Sequence, residues 1–238
     1  MPVTRYPLTA QPAQVEGSDI RLCLLDVKSL EDSAAFERSL PEVSAERAAK
    51  AVRFRFPSGK ALSLGAGLAL DMLLQEYGLR EKDMRYGYGS NEKPYFVNQP
   101  GLHFNLSHSG TLVLACMGRR ELGCDIQKEE KDQLSIARHF FHPDEYAWLS
   151  GISDETIRSE SFYRLWVCKE SFIKTLGTGL ATELSSFCVP LWEEPGGDGQ
   201  RKVTGSNGET CHLYELEMPV PGYRGAVGIG NESSFPQV

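Results

Sequence analysis

The sequence lacks the features that mark several large classes of protein. Its six cysteines include no C-x-x-C pair, and their long, irregular spacing predicts neither a disulfide framework nor a zinc site. There are five histidines but no H-E-x-x-H motif, and no G-x-S-x-G elbow surrounds the single Ser-His-Ser segment, which argues against zinc peptidases and serine hydrolases. No uncharged apolar run could span a bilayer, and the N-terminal segment has no apolar signal core. We therefore expect a cytoplasmic protein that does not bind membranes.

Basic residues are in the minority, but they are concentrated in one segment. The 238 residues include 25 basic and 32 acidic side chains, for a net charge of −7, which argues against a nucleic-acid-binding surface. Residues 47–60 nevertheless carry five basic side chains and no acidic one, leaving −12 on the remainder. Within this segment, Arg47 and Lys50 lie one helical turn apart and can share an anion. A solvated basic face is the ordinary alternative.

Hydrophobic periodicity and turn residues predict an α+β fold. Strands are expected at 20–27, 102–107, 111–117, 121–127, 185–192, 201–204, 210–217 and 224–229, and helices at 42–56, 60–77, 143–150 and 160–176. Pro57 is expected to interrupt the first helical segment, and Gly177 to end the last. A short similarity between 52–57 and 138–143, with a change of composition near 118–120, suggests two similar α+β halves.

The predicted helix at 160–176 carries an unusual cation. Its apolar stripe has Lys169 near the centre, where an ammonium group needs an anionic partner or must reach solvent. Glu170 and Lys174 are spaced i, i+4 at the edge of the stripe. They are either a surface pair worth a few tenths of a kcal/mol or part of a site.

Two further segments have residues suited to phosphate and metal chemistry. Asp125 and Gln127 are two apart on a predicted strand, so they share a face, and an aspartate beside a second oxygen suits Mg²⁺. Residues 103–110 include Ser107 and His108 near a glycine, as in phosphate-binding turns. Taken singly, a solvated or capping aspartate is the better explanation of Asp125, and a polar turn is an equally good explanation of residues 103–110.

In this order, these segments resemble the Sfp-type 4′-phosphopantetheinyl transferases. The resemblance is carried by residues 104–110, 123–127 and 162–174, supported by 91–94 and the basic helix before Phe54, and it covers roughly residues 20–230. It implies transfer of the 4′-phosphopantetheine group of coenzyme A to a serine of an acyl or peptidyl carrier protein, with Mg²⁺ as cofactor and release of 3′,5′-ADP. The length fits the single-chain, two-lobed type. The resemblance therefore implies a monomer with two similar α+β lobes, 1–118 and 119–238, arranged as a pseudo-dimer with the active site at their interface.

The resemblance also implies a role for each site residue. The expected metal ligands are Asp125, Gln127 and Glu170. The expected catalytic residues are Glu170, Lys174 and His108, with Lys174 and His108 on the pyrophosphate and Glu170 also able to accept the serine proton. The expected contacts of coenzyme A also include Arg47, Lys50, Ser63, Lys93 and Ser107. Many members carry glutamate where this chain has Gln127, so we predict that Mg²⁺ binds mainly together with coenzyme A.

Two other functions remain possible at this point. A non-catalytic homologue that binds coenzyme A or a carrier protein is consistent with Gln127, although Asp125, Glu170 and Lys174 argue against it. A metal-dependent phosphohydrolase would leave the order of the motifs unexplained. For carrier docking, the apolar side at Phe140 and Phe141 is a better candidate than the acidic residues of the same region. Those acidic residues are Glu129, Glu130 and Asp132.

Overall fold

The computed structural model describes residues 3–8, 20–89, 91–130, 133–197 and 199–231. Within these residues the first half of the chain builds a four-stranded antiparallel sheet with strand order β1-β2-β6-β5 and a short β3-β4 hairpin. The elements of this half, in chain order, are β1 (Thr4–Tyr6), β2 (Arg21–Asp26), α1 (Ser33–Ser39), α2 (Ala45–Val52), α3 (Pro57–Gln75), β3 (Tyr86–Tyr88), β4 (Pro94–Phe96), β5 (His103–Ser109) and β6 (Leu112–Gly118). The long helix α3 packs against β6 and β2.

The second half builds another four-stranded antiparallel sheet, with strand order β7-β10-β9-β8. Its elements are β7 (Leu122–Lys128), α4 (Leu134–Phe140), α5 (Pro143–Gly151), α6 (Glu155–Leu176), β8 (Gln200–Thr204), β9 (Thr210–Leu216) and β10 (Tyr223–Gly230). The long helix α6 packs against β7 and β10. The mixed α+β class predicted from the sequence is therefore observed.

The two sheets share a core. The residues of β6 are buried along its whole length, because alternate side chains face opposite sides of the sheet. Val113 and Ala115 face α3, whereas Leu112 and Leu114 join a cluster that also draws on β7, β9 and β10. This shared cluster holds β5 and β7 close together, and the candidate site lies there.

The helix start at Pro57 differs from the expectation. The chain does break between the two helical segments, but the second helix, expected from residue 60, begins at Pro57 as α3. A proline at the first helical position loses no hydrogen bond, because that N–H has no partner within a helix. Gly59 then leaves room for the Phe54 ring, which a β-carbon there would approach to 2.8 Å.

The predicted strand at 185–192 is wrong, and the cause is a buried ion pair. Phe187 and Val189 are buried at alternate positions, which imitates a strand. Their backbone groups, however, bond to side chains instead of a neighbouring strand: Lys169 Nζ donates to the Phe187 carbonyl at 2.8 Å, and the Val189 N–H donates to Glu145 Oε1 at 2.7 Å.

The helix expected at 42–56 is shorter in the structure, where α2 is Ala45–Val52. Gly177 ends α6 in the left-handed conformation, with φ of 68°. The six cysteines are free thiols, five of them buried and Cys188 partly exposed. Among the described residues, no helix combines the length and hydropathy needed to cross a bilayer.

Candidate active site

Asp125 is the centre of the polar cluster between β5, β7 and α6. Its side chain is only 2% exposed, and its Oδ1 accepts hydrogen bonds from Lys174 Nζ and Ser107 Oγ, both at 2.6 Å. Lys174 also donates to Ser107 Oγ at 3.1 Å and to the Cys124 carbonyl at 3.2 Å. Burial alone would lower the pKa of Lys174, but the Asp125 carboxylate outweighs it and the pKa lies above its ordinary value. Lys174 is therefore protonated at neutral pH.

Glu170 lies one helical turn before Lys174 and lines a cavity of about 660 Å³. Burial, and next the negative charge of Asp125, raise the pKa of Glu170 above its ordinary value, while Lys174 opposes the shift. Because the charge of Asp125 contributes to this shift, the two carboxylates lie within electrostatic range of one another, and they are candidate ligands for one cation. Lys93, Asn105 and Phe140 line the same cavity.

A backbone contact sets the distance between α6 and β7. A β-carbon on Gly123 would lie 2.3 Å from the Thr175 nitrogen and 2.6 Å from the Ser171 carbonyl oxygen. Only glycine allows this approach, which brings Lys174 within reach of Asp125 on the same strand.

His108 is exposed on β5, on the opposite face of the strand from Ser107. Partial desolvation and the ammonium of Lys174 lower its pKa, and Lys50 contributes in the same direction. His108 is therefore neutral at pH 7. The structure thus brings Lys50 of α2 and Lys174 of α6 within electrostatic range of one imidazole.

The other expected contacts of coenzyme A on the first half differ in exposure and in the partners they have within the protein. Arg47 is 11% exposed, with its Nε 3.7 Å from Glu81 Oε1 and its guanidinium 5.4 Å from the Tyr86 ring centre. Lys50, on the same helix, is exposed. Ser63 is buried on α3, and its hydroxyl has no hydrogen-bond partner in the described part of the chain. Ser63 precedes Gly67, where Arg47 packs, by one turn, so it faces α2.

Lys93 and Ser107 make hydrogen bonds within the protein that the sequence did not indicate. Lys93 Nζ donates to Glu121 Oε2 at 2.8 Å and to the carbonyls of Leu122 and Thr175, both at 3.1 Å. These bonds use its three donors and tie the β3-β4 hairpin to β7 and α6. His103 and Lys93, acting against burial, lower the pKa of Glu121 to about 2. Ser107, 6% exposed, is hydrogen-bonded to Asp125.

The donor set around Asp125 fits a hard divalent cation. Asp125 and Glu170 supply carboxylate oxygens, and Asp125 Oδ2 has only a long contact, 3.4 Å from Gln127 Nε2. A second group of potential metal ligands, His142, Asp144 and Cys188, lies elsewhere. It does not suit Mg²⁺, because it offers sulfur and nitrogen, and burial raises the pKa of the Cys188 thiol to about 11.

Comparison with known proteins identifies the family. The family model of the 4′-phosphopantetheinyl transferase superfamily matches residues 121–220. The chain is 34% identical to 4′-phosphopantetheinyl transferase Sfp of Bacillus subtilis (strain 168), over 84% of this chain and 88% of the relative. It is 37% identical to 4′-phosphopantetheinyl transferase ffp of Bacillus subtilis over the same shares, and 33% identical to psf-1 of Bacillus pumilus, over 87% of this chain and 89% of the relative. The chain belongs to the Sfp-type 4′-phosphopantetheinyl transferase family.

A buried ion pair in the transferase positions a segment that lines the cavity. Lys169 and Glu145 are both 0% exposed, and their Nζ and Oε1 atoms are 2.7 Å apart. The Lys169 ammonium also lies 4.2 Å from the Phe187 ring centre. The sequence predicted that Lys169 needs an anionic partner, and this is confirmed. The pair fixes the segment 184–189, whose first residues line the cavity beside Glu170.

Sequence reasoning missed three residues around the site. Asn105 lines the cavity and accepts the Cys124 N–H at 3.0 Å. Ser109 contacts Gln127, and Glu81 holds Arg47. The alternation of Asn105, Ser107 and Ser109 was a visible signal, because small polar side chains every second residue on a strand share one face. Glu81 gave no comparable signal.

Proposed function

We propose that this transferase moves the 4′-phosphopantetheine group of coenzyme A to a serine of an acyl or peptidyl carrier protein, in a Mg²⁺-dependent reaction that releases 3′,5′-ADP. The observation that carries the proposal is the meeting of Asp125, Glu170 and Lys174 beside one cavity. Asp125 lies 45 positions before Glu170 and 49 before Lys174 in the sequence. Two carboxylates and a lysine beside a cavity suit the transfer of a phosphoryl group with a charged leaving group.

The proposed step is a substitution at phosphorus. The serine oxygen bonds to the phosphorus that carries the pantetheine arm, the bond to the bridging pyrophosphate oxygen breaks, and 3′,5′-ADP leaves with the electron pair. Lys174 and the neutral imidazole of His108 donate hydrogen bonds to the phosphate oxygens. Glu170 accepts the serine proton, for which its raised pKa is favourable.

Asp125 and Glu170 would hold the divalent cation, with Gln127 beside them. A Mg²⁺ ion supplies charge neutralisation on the pyrophosphate when it is bound. In the ligand-free protein Lys174 already neutralises Asp125, and Gln127 adds no charge. The phosphates of coenzyme A would offer Lys174 another anion and the cation more oxygen ligands, so we propose that metal and coenzyme A bind together.

The remaining expected roles are part of the same proposal. Residues 1–118 would bind the 3′-phosphate and adenosine through Arg47, Lys50, Ser63 and Lys93, with Ser107 at the junction. Lys93 would exchange one of its three present hydrogen bonds for one to the ligand. Residues 119–238 would carry the metal and catalytic groups. The finding that each half has a four-stranded antiparallel sheet and one long helix supports a pseudo-dimer of lobes. Motifs of both halves meet within one chain, which supports a monomer. Free thiols support a reducing, cytoplasmic setting.

For the carrier protein we propose a contact at Phe140. Its side chain is 55% exposed at the cavity, whereas Phe141 is buried and stacks on Phe162 with ring centres 5.2 Å apart. The charge of Glu129 is neutralised by Arg224, 2.5 Å away, while Glu130 is exposed. Asp132 lies outside the described residues.

Intact-protein mass spectrometry of an apo carrier protein tests the function. With coenzyme A and Mg²⁺, the carrier should gain the mass of one phosphopantetheine. Lys174→Ala should abolish the gain while the protein still folds, and Lys202→Ala, on the exposed face of β8, is the matched control. An unmodified carrier across a panel of acyl and peptidyl carriers, or an active Lys174→Ala, would overturn the proposal.

A further inference from the structure

The two sheets of the transferase are joined at β5 and β7 by side chains. Both are edge strands of their sheets. Alternate side chains of β5 accept the backbone N–H groups of alternate residues of β7. These pairs are Asn105 with Cys124 at 3.0 Å, Ser107 with Ile126 at 3.3 Å, and Ser109 with Lys128 at 3.0 Å. The edge of β7 that presents Asp125 and Gln127 is therefore held by this side-chain ladder.

Ser109 makes a second hydrogen bond in addition to the one in the ladder. Its oxygen already accepts the Lys128 N–H, so its own proton is available. It donates that proton to Gln127 Oε1 at 3.4 Å. The amide oxygen of Gln127 thus faces Ser109.

The other end of the Gln127 amide faces Asp125. Gln127 Nε2 lies 3.4 Å from Asp125 Oδ2. An ionised carboxylate only accepts hydrogen bonds, so the group of Gln127 that faces it must be the NH₂. The hydroxyl of Ser109 and the carboxylate of Asp125 therefore select the same orientation of the amide.

We propose that Ser109 is a positioning residue that turns the Gln127 amide, so that its nitrogen supports Asp125 and its oxygen is withheld from the divalent cation. The inference rests on the proposed function, because it concerns the metal site of that reaction. Gln127 then acts through Asp125 and is not itself a metal ligand. The protein ligands of the cation are reduced to Asp125 and Glu170, and the other positions are left to water and phosphate oxygens.

Calorimetric titration with Mg²⁺ in the presence of saturating coenzyme A, without a carrier protein, tests this inference. Ser109→Ala should weaken Mg²⁺ binding by about three- to tenfold, at or below the range typical of residues that orient a metal ligand, because both contacts are long. Ser109→Thr keeps the hydroxyl and should bind Mg²⁺ as the wild type does. Ser150→Ala, whose hydroxyl bonds only within α5, is the matched control.

The direction in which Ser109→Ala changes Mg²⁺ affinity distinguishes a Gln127 oxygen that binds the metal from one that faces Ser109. If the Gln127 oxygen were a ligand, Ser109 would compete for it, and Ser109→Ala would leave Mg²⁺ binding unchanged or tighten it, which would overturn the inference. Gln127→Leu should weaken Mg²⁺ binding as Ser109→Ala does, and the double variant should bind less than twofold more weakly than either single variant. Additive losses of affinity would also overturn the inference. The titration measures Mg²⁺ binding and not transfer. Its result therefore remains valid if the carrier assay fails and the proposed function is rejected.

Discussion

Breaking the buried Lys169–Glu145 ion pair should destabilise the transferase severely. At 2.7 Å the attraction is about 6 kcal/mol for an effective dielectric constant near 20. It opposes the desolvation of two side chains that are both 0% exposed, although burial still lowers the pKa of Lys169 below its ordinary value. Lys169→Met removes the cation and leaves the Glu145 carboxylate inside the core. The Val189 and His142 N–H groups still donate to that carboxylate, at 2.7 and 3.0 Å. We therefore expect the loss near the lower end of the usual range for broken buried pairs, about 3 kcal/mol.

Urea denaturation followed by circular dichroism measures this loss. The double variant Lys169→Met/Glu145→Gln has no buried charge at this position and keeps a carbonyl oxygen for the Val189 N–H, so it should recover about 1–2 kcal/mol relative to the single variant. Lys202→Met, an exposed lysine on β8, is the control and should change stability by less than about 0.5 kcal/mol. A loss below about 1 kcal/mol for Lys169→Met, or a double variant no more stable than the single one, would refute the reasoning.

Three further predictions concern the site. Calorimetry should show Mg²⁺ binding at least about tenfold weaker without coenzyme A, because Lys174 occupies Asp125 and Gln127 is uncharged; tight binding to the bare protein would contradict this. Glu170→Gln should reduce transfer by about 100-fold or more and raise stability at pH 7 by up to about 1 kcal/mol. The raised pKa of Glu170 in the folded state means that its ionised form destabilises the fold. Thermal melting should therefore show that Glu170→Gln gains stability above the folded-state pKa and gains none below the unfolded-state pKa. A stability gain independent of pH would show that ionisation of Glu170 is not its cause. Phe140→Ala should raise the KM for the carrier about fivefold and leave that for coenzyme A unchanged, with Ile157→Ala, equally exposed, as the control; an equal rise for coenzyme A would remove the docking assignment.

The sequence was most informative where one residue imposes a strong physical demand. An ammonium group in an apolar stripe requires an anion, and Lys169 has Glu145. Gly177 marked the end of α6 for a similar reason, since a left-handed residue is most easily glycine. The order of the motifs also predicted the family, which the relatives confirm.

The sequence was less informative where long-range contacts replace local patterns. Alternating burial of Phe187 and Val189 has the period of a strand, yet their backbone groups bond to the distant Glu145 and Lys169. Spacing alone gave no reason to expect Lys174 to lie 2.6 Å from Asp125 across 49 residues, because that distance depends on the approach of α6 at Gly123. The expected roles of individual residues toward coenzyme A and the metal stay predictions.

The central claim is that phosphopantetheine moves from coenzyme A to a carrier serine, and the release of 3′,5′-ADP tests it most directly. The nucleotide is quantified by chromatography in the presence and absence of apo carrier, alongside the mass of the carrier. We predict one 3′,5′-ADP for each modified carrier, and none without a carrier. Release without a carrier would indicate a phosphohydrolase, and binding of coenzyme A with neither release nor modification would indicate a non-catalytic homologue; either result would contradict the account.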